Sequence, residues 1–157
     1  MASNLGKGFE NQFKFNWANS FPNGSIIRLQ DQVSGYKETS RNICDFICYN
    51  HPKLYLIECK THKGASLPLN NITQYDKLVS YVGKQGIRVG VVLWLYEKDK
   101  VFYIPISTIT KLKKDGEKSV GIRHLDNYAI VEIPSRKLRV YMESNYKILN
   151  SVLEEGD

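Results

Sequence analysis

Apolar residues recur at four-residue spacing at the start of the chain. Leu5, Phe9, Phe13 and Trp17 fall on one side of a helix, so the spacing predicts an amphipathic helix from about Asn4 to Ser20. Glu10 follows Phe9 and stands at the edge of that stripe, where it can look into a cleft. Pro22-Asn23-Gly24 breaks the chain. Ser25 to Leu29 then reads as a strand, followed by a polar loop from Asp31 to Asn42. Two further strands are predicted, about Ile43 to Tyr49 and Leu54 to Lys60, with Asn50-His51-Pro52 as their turn. Leu54-Tyr55-Leu56-Ile57 is apolar on both faces, the pattern of a strand buried at the centre of a sheet.

Downstream, Lys63-Gly64-Ala65-Ser66 reads as a loop and Ile72 to about Gly83 as a helix. Val89 to Tyr96 and Val101 to Ile106 are strand-like, with Glu97-Lys98-Asp99-Lys100 as the turn between them. Ser107 to Lys114 reads as a short helix ending in a basic cluster, Tyr128 to Ile133 as a late strand, and Glu143 to Glu154 as a closing helix. Helix, three strands, helix, then two strands predicts an α/β fold with a central mixed β-sheet flanked by helices. No internal repeat or linker interrupts this order, and 157 residues fit one domain, 1–157, with a real core.

The composition, 42% hydrophobic and 24% charged, is that of a soluble globular chain. There is no apolar run of transmembrane length, and Lys7, Glu10 and Lys14 argue against a signal peptide, so a cytoplasmic protein is expected. Cys44, Cys48 and Cys59 lie in apolar, strand-like contexts without C-x-x-C spacing, and read as buried small hydrophobes. The formal net charge of +6 favours a polyanionic partner.

The candidate chemistry lies in the two central strands. Side chains alternate along a strand, so Glu58 and Lys60 share a face that Asp45 reaches if its strand pairs with theirs. Two carboxylates beside an ammonium group suit a hard divalent cation and a water held next to a phosphate. Ionisable groups emerging from the end of a buried strand are themselves site candidates. The residues therefore point to a metal-dependent nuclease using Mg²⁺ or Mn²⁺.

Asp45, then Glu58-Cys59-Lys60, resembles the D…(D/E)-x-K signature of the restriction-endonuclease-like nuclease superfamily. Longer stretches resemble the RecU-type Holliday junction resolvases and their phage-encoded relatives. They are Gly6-Lys7-Gly8-Phe9-Glu10, Cys44-Asp45-Phe46, Ile57-Glu58-Cys59-Lys60, Ser66-Leu67-Pro68-Leu69-Asn70-Asn71-Ile72, Gln74-Tyr75-Asp76-Lys77-Leu78, Val101-Phe102-Tyr103-Ile104-Pro105 and Lys118-Ser119-Val120, in the family's order along nearly the whole chain. The resemblance implies a restriction-endonuclease-like core and roles for single residues. Asp45, Glu58 and the backbone carbonyl of Cys59 would hold the metal, Lys60 would face the scissile phosphate or attacking water, and Glu10 and Gln74 would complete the site. Two departures are plain, and one is that the lead into Gln74 is about two residues shorter than in the RecU-type enzymes. Only Leu29 to Cys44 separates the first strand from the catalytic Asp, so the long stalk of the chromosomal enzymes is short or absent.

Arg28, Lys37, Arg41, Lys63 and the Lys111-Lys113-Lys114 cluster are candidates for contacts with the DNA backbone, and Tyr36 for stacking on an unpaired base. His51, His62 and His124 show no ligand spacing. The expected activity is structure-selective DNA cleavage, four-way junctions first, by a homodimer whose two sites make two symmetric nicks. The alternatives are flaps, forks or plain duplex as substrate, and a non-catalytic DNA-binding or recombinase-partner module.

Overall fold

Six strands form a mixed sheet between two apolar layers in the computed structural model, which describes residues 2–30 and 42–153. Helix α1 (Ala2–Ser20) buries Phe9, Phe13 and Trp17, while Phe15 on the other side is 59% exposed. The four-residue spacing is thus the buried stripe. The turn after it closes through Phe21 N–H to the Trp17 carbonyl and Gly24 N–H to the Phe21 carbonyl, both 2.9 Å. A Cβ at Gly24 would run into the Tyr49 carbonyl, so this position needs glycine for close backbone approach.

Strands β1 (Ser25–Arg28), β2 (Phe46–Asn50) and β3 (Lys53–His62) form an antiparallel meander in which Arg28 pairs Phe46 and Phe46 pairs Ile57. The chain then crosses over through β4 (Ser66–Pro68), a 3-10 turn at Leu69–Asn71 and the single-turn helix α2 (Tyr75–Leu78). It returns as β5 (Ile87–Leu95), parallel to β3, and β6 (Lys100–Pro105), antiparallel to β5. Helix α3 (Ile106–Lys114), β7 (Ser119–Gly121), β8 (Val131–Ile133), β9 (Ser135–Lys137) and β10 (Met142–Ser144) complete the chain, with sheet order β1-β2-β3-β5-β6-β8.

Alternation assigns each strand residue to a layer. Tyr55, Ile57 and Cys59 of β3, with Val92 and Trp94 of β5, pack under α1, whereas Leu56, Val91 and Leu93 face the layer of α2 and α3. β5 is flanked by strands and covered on both faces, which is why its sequence is apolar almost without a break.

The predicted helices held unevenly. The Ile72–Gly83 segment forms only α2 and a 3-10 turn, Val79–Tyr81. Gln74 gives the helix start no side-chain cap, Val82 is extended, and Gly83 has a φ of 84°. The closing helix is instead β10 followed by a 3-10 turn, Tyr146–Ser151. Its buried residues, Tyr146 and Leu149, are three apart, the period of a 3-10 turn, and Asn145 caps it by accepting from Lys147 N–H. The late strand begins at Val131, not Tyr128, whose hydroxyl bonds Asp115.

β4 and β7 pair as a separate ribbon through Ser66–Gly121, Leu67–Val120 and Pro68–Ser119. Gly121 has the ordinary extended backbone of any residue, yet a Cβ there would collide with the Ala65 carbonyl and the Ser66 backbone. Gly121→Ala must therefore push β4 away from β7. We expect a cost of about 1–3 kcal/mol, read as a Tm lower by several degrees. An unchanged Tm would show that β4 yields freely.

Candidate active site

β2 ends its ladder at Phe46, while β3 continues for five more residues beside β5. Asp45, one residue before β2, extends the pairing: its N–H donates to the Ile57 carbonyl (3.0 Å) and its carbonyl accepts from Leu29 N–H (2.9 Å). Past this point its side chain replaces the missing strand, with Oδ2 accepting the Cys59 N–H at 2.8 Å. That bond turns Asp45 toward Glu58, and the two carboxyls lie close enough to interact electrostatically. Lys60 lies on the same face, its Nζ 3.7 Å from Glu58 Oε2. In a strand the N–H and C=O of one residue leave the same edge, so the Cys59 carbonyl also points to the side that β2 has vacated.

These groups open into a cleft of about 540 Å³ lined by Glu10, Asp45, Glu58, Cys59 and Lys60, with Asn70, Asn71 and Thr73 among its other walls. Glu10 reaches it from α1, where Arg28 Nη2 lies 3.5 Å from Glu10 Oε2. Arg28, predicted as a DNA contact, thus belongs to the rim of the site. Gln74 is half-buried at the start of α2 and does not line the cleft. Lys63 is exposed in the turn after β3, also outside the cleft, and Lys37, Arg41 and Tyr36 lie outside the described residues. Asn70, Asn71 and Thr73 were given no role on sequence. Asn70 and Asn71 belong to the Ser66–Ile72 stretch that carried the resemblance, which was the available signal.

The electrostatics follow from burial. Glu58 is only 6% exposed, and burial, then the charge of Asp45, raise its carboxyl to about 7 against the pull of Lys60. Burial also raises Asp45, opposed by the Cys59 N–H, Lys60 and Arg28. The three cysteines are free and buried, and burial pushes all their thiols up, Cys44 to about 12, so they act as small apolar side chains.

The donors available to a metal are oxygens. Among the described residues no three His, Cys, Asp or Glu side chains are placed to share an ion, so the set is two carboxylates and a backbone carbonyl. Mg²⁺ is commonly held through one or two carboxylates while it keeps several waters, and two carboxyls short of compensating positive charge gain from a cation between them. The residues fit Mg²⁺ or Mn²⁺.

No protein-family model matches the sequence, and no curated protein does. In structure the chain is similar to Hjc, a Holliday junction resolvase from the archaeal hyperthermophile Archaeoglobus fulgidus. The TM-score is 0.56 over 78% of this chain and 93% of that one, at 19% sequence identity. This likeness shows the fold: a restriction-endonuclease-like α/β core with a central mixed sheet flanked by helices. No helix among the described residues is long and apolar enough to cross a membrane.

Proposed function

We infer that the chain is a metal-dependent DNA endonuclease selective for branched DNA, four-way junctions first. The observation that carries this reading is the Asp45–Glu58 pair, set beside Lys60 in an open cleft at the end of β3. The fold shared with a junction resolvase supports the substrate class. Cytoplasmic location, a homodimer and a recombinase partner belong to the same proposal, the dimer because two symmetric nicks require two sites.

Asp45, Glu58 and the Cys59 carbonyl would hold Mg²⁺ or Mn²⁺. When bound, the cation supplies Lewis acidity toward the phosphodiester and the attacking water. Lys60 offers its ammonium to charge developing on the phosphate oxygens. Glu10, steadied by Arg28, orients a water by accepting its hydrogen bond. Gln74, at the start of α2, would assist by hydrogen bonding to the substrate phosphate.

The test is strand cleavage of a labelled four-way junction in Mg²⁺, with flap, fork, duplex and single-strand controls and an EDTA arm. Paired symmetric nicks confined to the junction are expected. Equal cutting of all substrates would remove the junction claim and leave a nuclease, whereas binding without cleavage in any metal would remove the enzyme.

A further inference from the structure

Helix α3 ends in a Schellman motif: Glu117 N–H donates to the Leu112 carbonyl (2.9 Å), Gly116 N–H to that of Lys113 (3.1 Å), and Gly116 has a φ of 81°. This fixes Lys111, Lys113 and Lys114 on an exposed end, and Lys118 follows just beyond. The neighbouring acids are occupied. Glu117 pairs with Arg123 (3.1 Å) and His124 (3.3 Å), and Asp115 accepts from the Tyr128 hydroxyl (2.6 Å). Among the described residues none of the four lysines is in an ion pair. Lys113 Nζ lies 4.3 Å over the Tyr75 ring and Lys111 Nζ 5.3 Å over Tyr128, contacts that orient both side chains.

The helix dipole favours lysines in a last turn by only about 0.3–1 kcal/mol each, and it does not account for Lys118, which lies outside the helix. Lys118 is tied elsewhere: its carbonyl accepts the Leu69 N–H at 2.9 Å, one residue before Asn70 of the cleft wall. Among the described residues, the unpaired lysines thus continue from the end of α3 into the segment whose backbone meets the chain leading to Asn70.

We propose that Lys111, Lys113, Lys114 and Lys118 form a docking surface for the phosphate backbone of a duplex DNA arm flanking the scissile bond. The proposal rests on the nuclease reading for its orientation, but its test separates the two. Junction binding is measured by fluorescence anisotropy in EDTA across a salt series. The substitutions K111Q, K113Q, K114Q and K118Q together should lower the magnitude of the slope of log affinity against log salt by roughly 3.6, at about 0.9 per phosphate contact. The pair K113Q and K118Q should lower it by about half as much, a second reading if the fourfold variant folds poorly. A control with K14Q, K84Q, K98Q and K147Q, exposed lysines elsewhere, should keep the parent slope. An unchanged slope, or an equal fall in the control, overturns the surface while leaving the nuclease. A patch-dependent slope in a protein that never cleaves sustains the surface and removes the nuclease, and a parent that binds no DNA removes both.

Discussion

On the proposed nuclease reading, Asp45→Asn should lower the Mg²⁺-dependent cleavage rate at least ~10³-fold, because it would remove a charge from the proposed metal site, whose chemistry is electrostatic. The choice of asparagine follows from the two jobs of the side chain. Its Oδ2 accepts the Cys59 N–H where β2 has ended, and an amide oxygen accepts that bond equally well. Its other atom faces Glu58, where an amide nitrogen can donate to the carboxylate. The fold and junction binding should therefore survive. Asp45→Ala is the contrasting variant: it strands the Cys59 N–H and costs about 1–3 kcal/mol as well as activity. Single-turnover cleavage, junction affinity and Tm decide the matter. Asn-variant cleavage within a few-fold of the parent would place the reacting centre elsewhere.

The elements legible in the sequence were those with a clear period and enough length. Phe9, Phe13 and Trp17 marked α1, and the unbroken apolar runs at Leu54–Ile57 and Val89–Tyr96 marked the central parallel pair. The Asp45–Glu58–Lys60 juxtaposition was legible because alternation along a strand is rigid, and antiparallel pairing across the Asn50–Pro52 turn left one register. Ribbons of three residues, such as β4 with β7 or β9 with β10, carry too few side chains to show a period. The α2 region is shorter than predicted for a different reason: Ile72 and Leu78 are buried, but the segment between them is held by tertiary contacts such as the Tyr75 hydroxyl to Thr110 at 2.6 Å. The pairing of Arg28 with Glu10 is also invisible in sequence, since it joins α1 to β1 across the end of the sheet.

If the pair holds the proposed cation, it should destabilise the fold when no cation is bound. In the metal-free protein the Glu58 carboxyl is raised from 4.5 to about 7, mainly by burial and then by Asp45. The folded state thus keeps a proton that the unfolded chain releases near pH ~4.3. The linked stability is fully present below that value and is lost as pH rises to about 7, a change of roughly 3–4 kcal/mol. Glu58→Gln keeps a donor toward Asp45 but cannot ionise. Measured in EDTA, its stability relative to the parent should climb between pH 4.5 and 7 and level off above, so that the inactive variant is the more stable protein at pH 8. Mg²⁺ at a thousandfold excess over Kd should reverse the order: the parent gains about 4.1 kcal/mol, and the variant gains little. Urea midpoints at several pH values, with and without Mg²⁺, test both halves. A pH-independent difference would mean that Glu58 is not destabilised by its surroundings, and equal Mg²⁺ stabilisation of both proteins would mean that Glu58 is not a ligand.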